Sequence, residues 1–500
     1  MRGRKAISRQ SDCHWRHFAV LGGAATLGIN DEQVLMMAVD DVNAAGGVNG
    51  RPLQLQVRDS NSGSDRGYEQ AKQLIYDVGI KILIGPENNR LSKLLVPDVK
   101  AKNITHIMPA VTAPTISEIG SRGTWIRLAP TPRAIGCAMA LKALKDGHKS
   151  VISISAADDY QPLLVTSFNT IFSEYGGISK GAFNVRSGLA NYSSYLKIIE
   201  DEDADVNLMM VYPLTGVPLA GEWTMAGDRG EWYLSPTLFT EMFLRNMPFG
   251  ALEGFTIFSP SRSLTSECEV PFDPDTSTAA TDTSSDSAVM SSDSGDTLSD
   301  SMDTLSDSGD TLSDSMDTSS DSMDTSSDSA DTSSDSAVDT DTTSPIRVFS
   351  PNDYVAADCT QNNYERFSRA FAVLWGSEHP LPSSLFYYDG VILTALALAL
   401  AAHEGNPDPQ PSQLREYIRT IAQPPGRVFM WTQLREALAA IANGEDIAYS
   451  GVAADYEFPL IDGAVSGEAR HRFIDTWIVK NNRFILLETI SANCTVGGEV

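Results

Sequence analysis

Lysine, arginine and glutamate are all absent between Pro271 and Pro345, where the chain has 19 aspartates among Ser, Thr, Gly and scattered apolar residues. Leaving that stretch out of the count gives 46 acidic against 37 basic side chains, so most of the formal charge of −28 belongs to one segment. The remainder is mildly acidic, and nothing in it favours a nucleic-acid partner. Catalytic signatures are missing as well. There is no G-x-x-x-x-G-K-[ST], no H-E-x-x-H and no G-x-S-x-G, and Gly22, Gly23 and Gly28 in VLGGAATLG are wrongly spaced for G-x-G-x-x-G.

Cysteine is scarce: Cys13, Cys137, Cys268, Cys359 and Cys494 form no C-x-x-C and no close pair. Cys268 and Cys359 bracket the aspartate-rich segment, which leaves two options open, a disulfide across its base in an oxidising compartment or free thiols. Cys13 with His14 and His17 is a thin basis for a metal centre. We expect no enzyme, no metal and no cofactor. Long apolar runs are lacking too. ILTALALALAA, residues 392–402, falls short of the roughly 20 residues that span a bilayer and reads as a buried helix. Arg2, Arg4, Lys5, Arg9 and Arg16 around the start of an apolar run, Phe18 to Leu27, imitate a secretory signal, but no clean small-x-small cleavage site follows. We read FAVLG, 18–22, as a first core strand after a ragged segment, 1–17.

What is present suits two α/β lobes: 500 residues at 42% apolar content can bury two ordinary cores. The aspartate-rich segment repeats every seven residues (SDSGDTL, SDSMDTL and relatives), yet its residues are poor helix formers and it lacks the D-x-D-x-D-G loop and distal Glu of a tight Ca²⁺ site. It reads as a solvated spacer, 273–345. Elsewhere helical and strand periods alternate. Asn30-Asp31 is expected to cap a helix carrying Val34, Met37, Ala38 and Val42; PLQLQV, IKILIG and THIMPA read as strands, YEQAKQLIYDVG and LSKLLVPDVKAKN as helices. The pattern restarts at Ser150 with SVISISA, ISKGAFNV, DVNLMMVYP and EWYLSP as strands around helical stretches. Such alternation implies βαβ units and parallel sheets.

In open parallel sheets ligands sit beyond the carboxyl ends of strands, where helix N-termini offer free N–H groups. Four loops then share one cleft: GPENNR (85–90), PAVTAP (109–114), ADDYQP (157–162) and VYPLTG (211–216). N–H groups at the head of the LSKLLV helix, with the amides of Asn88 and Asn89, could hold an anion. Helix capping alone would also explain the two asparagines, an ordinary turn would explain Thr112, and core packing would explain Tyr160 and Tyr212.

AVDDVNAAGGVNGRPLQLQVRDSNS resembles the signature of the branched-chain amino-acid-binding type of periplasmic substrate-binding protein, the type I receptors of ABC importers. The resemblance continues through ILIGPENNRLSKLLVPDV, HIMPAVTAPTISE, WIRLAPTPRAIG, ADDYQPLLVTSF and YSGVAADYEF, and spans roughly 18–490 apart from the spacer. It implies two Rossmann-like α/β lobes with parallel central sheets, joined by three crossovers and closing on a small ligand like a flytrap. The boundaries expected are 18–131 with 258–430 for lobe I, 132–257 with 431–490 for lobe II, and a tail, 491–500.

The resemblance also implies site residues. Asn88 and Asn89 fall in the first-lobe ligand loop, Asn89 standing where the family usually has a serine that holds the ligand carboxylate. Ala110, Val111 and Thr112 fall in the second loop, with Thr112 expected to hold carboxylate or ammonium through its hydroxyl and N–H. Tyr160 and Tyr212 would cover the ligand, and Asp159 could receive an ammonium group. Thr237 occupies the place of the family's acidic residue, with Glu241 nearby but out of register. The function implied is capture of a small polar ligand, an amino acid or related carboxylate or amide, for delivery to an ABC permease in the membrane. The site would be periplasmic or in the cell envelope. The alternative is a surface or sensory protein that keeps the scaffold and uses the acidic repeat as a spacer.

Overall fold

The computed structural model describes residues 14–18, 25–260 and 363–494, less 114, 117–124, 159, 228–229, 377–379, 424, 462–463, 472 and 493. Contacts divide the chain into one unit, 1–269 with 348–500, and a second, 270–347, which lies outside the described residues together with Cys268 and Cys359.

The first lobe opens with β1 (His14–Phe18), α1 (Ala25–Ala44), β2 (Gln54–Arg58), α2 (Asp65–Lys72), β3 (Ile82–Ile84), α3 (Asn89–Ala101), β4 (Thr105–Met108) and β5 (Trp125–Arg127). Strand β1 lies four residues before the expected FAVLG and pairs in parallel with β2, His14 opposite Gln54. Strands β3, β4 and β5 form a parallel sheet in that order. Every residue of β3, β4 and β5 is buried, as strands covered on both faces must be.

The second lobe follows with α4 (Pro132–Asp146), β6 (Ser150–Ala156), α5 (Gln161–Glu174), β7 (Ile178–Val185), α6 (Ser193–Glu202), β8 (Val206–Met210), α7 (Pro213–Ala226), β9 (Glu231–Leu234), α8 (Glu241–Arg245) and β10 (Thr256–Ser259). The chain then returns through α9 (Asn363–Trp375), α10 (Leu385–His403), α11 (Pro411–Ala422), β11 (Arg427–Met430), α12 (Leu434–Ala442), β12 (Ile447–Ser450), β13 (Leu460–Ile461) and β14 (Ala464–Val465) to the first lobe. It ends in β15 (Phe473–Lys480) and β16 (Arg483–Ser491). These complete a seven-stranded sheet ordered β16-β15-β10-β9-β8-β6-β7. Its β10-to-β7 portion is parallel, and the terminal hairpin adds on antiparallel.

Alternation along the central strands splits the second core into two layers. Val151, Leu208 and Tyr233 pack beneath α4 and α5 with Phe168 and Phe172, while Ile152, Ile154 and Met209 face the opposite layer with Leu219 and Trp223. In the first lobe α10 is apolar on every side and all but three of its 19 residues are buried, so it is the central core helix and no membrane segment. Gly390 lets it approach β4, since a Cβ there would lie 3.2 Å from Ile107 and Leu128.

Two expectations are corrected here. Asn30 and Asp31 do not cap α1, which begins at Ala25. Their buried side chains instead accept from the Leu381 N–H, at 2.8 Å, and from the Ser384 hydroxyl, fixing the loop before α10. The second-lobe boundary at 431 also fails: Trp431, Leu434, Ile441, Tyr449, Val452, Tyr456 and Phe458 all lie in the first-lobe core, and only β15 and β16 rejoin the second.

Two segments that pass between the lobes run side by side. Arg127 donates its N–H to the Gly467 carbonyl at 2.6 Å and accepts from the Ala469 N–H at 3.0 Å, while its guanidinium meets Glu468 at 2.6 Å. The same guanidinium donates to the Ala113 carbonyl at 2.8 Å, and the His471 ring bonds the Leu128 carbonyl.

Candidate functional site

A cavity of about 410 Å³ lies between the lobes at the carboxyl ends of the strands. The first lobe contributes Glu87, Asn88, Asn89, Ala110, Thr112, Leu381 and Phe386, and the second contributes Asp158, Tyr160, Tyr212, Leu214 and Thr237. Of the residues expected from sequence, Asn88, Asn89, Ala110, Thr112, Tyr160, Tyr212 and Thr237 line it. Asp159 lies outside the described residues. Val111 does not line it: its side chain is fully buried with Met108, Ala113, Ile116 and Trp125 on the inner side of the loop.

The roles within the cavity differ from those expected. Asn88 is the N-cap of α3, its side-chain carbonyl accepting from the Leu91 N–H at 3.0 Å. The side-chain carbonyl of Asn89 accepts from the N–H of Thr112 and of Ala113, both at 3.0 Å. The Thr112 N–H expected to hold a ligand carboxylate is therefore occupied from within the protein. On the opposite wall Asp158 accepts from the N–H of Tyr160 and of Gln161, each at 2.8 Å, and so caps α5. Thr237 is tied structurally: its hydroxyl donates to the Val211 carbonyl at 2.7 Å and accepts from the Gln161 amide at 3.0 Å. Glu241, the other candidate acid, is paired with Arg245 at 3.3 Å and does not reach the lining.

Sequence reading passed over Glu87. Its Oε1 accepts from the Ser60 hydroxyl at 3.4 Å, while its Oε2 is buried with no hydrogen-bond partner among the described residues. Loss of solvent pushes its carboxyl up to about 7, and the neighbouring Asp59 charge adds to the shift. The signal for it was its position: an acid next to the strand-end Gly85-Pro86, one residue ahead of a helix cap. Behind it Asp31 is also raised well above the carboxylate range, by burial first and by the Glu87 charge among lesser causes.

Aromatic and apolar groups make up the rest of the walls. Phe386 stands edge-on to Tyr456 and His471, with centroids 6.4 and 5.7 Å away, and forms the first-lobe side with Leu381. Burial of Tyr160 pushes its phenol well above the ordinary range, so it faces the cavity as a neutral hydroxyl. No lysine, arginine or histidine is among the described lining residues, and both ionisable carboxyls there, Glu87 and Asp158, are acidic.

Residues 19–265 match the model of a family described as periplasmic binding protein. A curated relative, the Leu/Ile/Val-binding protein BraC3 of Rhizobium johnstonii, is 24% identical over 189 residues, 37% of this chain and 50% of the relative. The match thus spans about half of that relative's length. Among solved structures, the branched-chain amino acid transporter substrate binding protein LivJ from Streptococcus pneumoniae, in complex with isoleucine, superposes with a TM-score of 0.62 at 12% identity, covering 96% of this chain and 100% of that one. A solute binding protein of an ABC transporter from Rhodopseudomonas palustris BisB5, in complex with 3,4-dihydroxy benzoic acid, gives 0.61 at 13% identity, covering 97% and 98%. At such identities it is the two-lobed α/β architecture that is shared.

Proposed function

From the two-lobed flytrap fold of the type I periplasmic binding proteins, which this chain has, we propose that it is a solute-binding receptor that captures a small molecule between its lobes and hands it to an ABC permease in the membrane. One observation carries the reading: a cavity of about 410 Å³, a size suited to a small metabolite, is lined from both lobes at the strand ends. A ligand touching both walls gains contacts that exist only when the lobes are together, so binding shifts the population toward closure. The apolar walls of Leu27, Leu214, Leu381 and Phe386 suit a hydrophobic body, and Tyr160 and Tyr212 are the aromatic groups that would cover it.

Isoleucine and 3,4-dihydroxy benzoic acid, the ligands held in the two solved structures of this fold, are both small and both carry a carboxyl group. A disulfide between Cys137 and Cys494 supports work outside the cytoplasm, in the periplasm or cell envelope, where such bonds persist. The cleft serves binding, and the reading assigns no residue a part in bond-making.

The test is thermal unfolding of the full chain against a panel of amines, amino acids, amides and organic acids, with small-angle scattering on any hit. A ligand at a hundredfold excess over its Kd should add about 2.7 kcal/mol of stability and reduce the radius of gyration. A panel that moves neither quantity overturns the receptor reading.

A further inference from the structure

Two buried amides occupy matching places, one in each lobe. Asn89 and Gln161 are each the first residue of the helix that follows a strand of a parallel sheet, α3 after β3 and α5 after β6, and they are 6% and 0% exposed. Asn89 reaches across to the loop after β4, at Thr112 and Ala113. Gln161 reaches further, because its partner Thr237 is itself bonded to a third loop.

The orientation of the Gln161 amide follows from counting protons. The Val211 carbonyl can only accept, so the Thr237 hydroxyl, 2.7 Å away, donates its single proton there. Thr237 Oγ1 then needs a donor from Gln161, which sets Nε2 toward it at 3.0 Å and leaves Oε1 to accept from the Ser235 hydroxyl at 2.8 Å. The Gln161 N–H is in turn held by Asp158, also at 2.8 Å. A chain of side-chain bonds thus runs from the loop before α5, through the segment after β9, to the loop after β8. Each of the three carries cavity-lining residues, Asp158 and Tyr160 in the first, Thr237 in the second and Tyr212 in the third, whereas Gln161 does not line the cavity.

We propose that Gln161 is a positioning residue that heads a clasp through Thr237 and preassembles the second-lobe half of the cleft, so that Tyr160, Thr237 and Tyr212 meet a solute as one wall. The inference rests on the receptor reading for its purpose and gives a part in binding to a residue that touches no solute. Loops left untied would lose freedom when a solute docks, and that loss would weaken binding; the clasp orders them on folding instead. Asn89 does the same for the first lobe, so each jaw closes as a rigid body.

Hydrogen–deuterium exchange of the full chain without ligand tests it, each variant read beside the parent at the same pH. Gln161→Met keeps the bulk and removes both side-chain bonds, and Ser235 can then donate to Thr237, 2.9 Å away, so no hydroxyl is orphaned. It should speed exchange on the order of tenfold in peptides covering 157–162 and 235–240, as the loss of one or two hydrogen bonds implies, and leave the first-lobe loops 85–90 and 109–114 as in the parent. Thr237→Val, which also cuts the bond to Val211, should extend the acceleration to 211–216. Gln161→Glu at pH 5, where a buried acid is protonated and can again donate to Thr237 and accept from Ser235, should restore the parent's rates. Where isoleucine or 3,4-dihydroxy benzoate binds the parent, Gln161→Met should weaken it on the order of tenfold; where neither binds, exchange decides alone.

Acceleration confined to 157–162, acceleration shared equally by the first-lobe loops, no acceleration, an unchanged Kd, or no rescue by Gln161→Glu each overturns the clasp and leaves the receptor standing. Should Gln161→Met not fold, Thr237→Val carries the test, and unchanged exchange at 211–216 overturns the inference. A ligand panel without a hit overturns the receptor reading and leaves the exchange result as it is.

Discussion

The side-chain carbonyl of Asn89 bridges to the backbone N–H groups of Thr112 and Ala113, both at 3.0 Å, and so ties the head of α3 to the loop after β4. Both N–H groups belong to buried residues, so removing the acceptor leaves two unsatisfied donors unless water enters. Asn89→Ala should lower stability by about 2 to 4 kcal/mol, while Asn89→Asp, which keeps the acceptor, should lose less. Urea unfolding of the two variants beside the parent chain checks the order; equal losses would show that the bridge contributes little.

Buried acids set a slope of stability with pH. Asp41, bonded to the Tyr388 hydroxyl at 2.6 Å, and Glu87 are each pushed up to about 7, in both cases first by burial. Between pH 4.5 and 7 the folded chain then holds protons that the unfolded chain has released, so these groups favour the fold below 4.5 and lose that contribution as pH rises through 7. His106 and His471, lowered to about 4 by burial, act in the opposite sense and weaken the fold as pH falls from 6.5 to 4. Asp41→Asn should flatten the alkaline limb by about 2 kcal/mol, allowing for its partial exposure, in denaturant titrations at pH 5 and pH 8. An unchanged difference between the two pH values would remove Asp41 from the account.

Asp389 gathers four donors. The Tyr449 hydroxyl (2.9 Å) and Val452 N–H (2.8 Å) reach one oxygen, and the Ala453 N–H and Tyr456 hydroxyl, both at 2.7 Å, reach the other. Gly451 is required beside it, because a Cβ there would lie 2.5 Å from Asp389 Oδ2 and 2.6 Å from the Ala454 carbonyl. Asp389→Asn sets an amide N–H against donors and should cost about 3 kcal/mol, and Gly451→Ala should also destabilise. Because Tyr456 stands against Phe386 in the cleft wall, ligand affinity should fall with stability in both variants.

The Cys137–Cys494 bond joins α4 to the residues after β16, at the edge of the seven-stranded sheet. Cross-linking residues 357 apart in sequence restricts the unfolded chain, and replacing both cysteines with alanine should cost about 2 to 4 kcal/mol. Thermal unfolding with and without a reductant checks this, since reduction should lower the melting temperature of the parent but not that of the double variant.

Deletion of residues 275–342 should leave the melting temperature and any ligand affinity unchanged, because the repeat carries too few apolar residues to add to either core. A large fall in melting temperature on deletion would show that the segment supports the lobes.

Much of this molecule was legible in local pattern. SVISISA, DVNLMMVYP and EWYLSP announced the middle of the second sheet, because strands buried on both faces need continuous runs of apolar and small residues. The strand-end loops were legible for the same reason. What escaped depended on partners far away in the chain. Asn30 and Asp31 look like caps, but residues 381–384 hold their side chains across about 350 positions, and α1 starts earlier. Residues 431–469 join the first lobe through contacts with α1 and α10 that no local period encodes. In the cleft, spacing alone could mark Asn89 and Thr112 as neighbours of a ligand but could not reveal that they bond each other. An acid was sought near Thr237, in the second lobe, and Glu87, a lining residue within the loop already singled out, was passed over.

The pairing of the 127–128 and 467–471 segments bears on how the two halves move. Strings that cross a gap separately can bend about many axes, whereas two that are bonded edge to edge act as a ribbon, flexible in one direction and stiff against shear. Arg127 belongs to that ribbon and also grips the carbonyl of Ala113, the residue after Thr112 in the cavity wall, so the linking segments and the loop after β4 are held by one side chain. Loosening Glu468 would then alter how readily the jaws swing together without touching any atom of the solute.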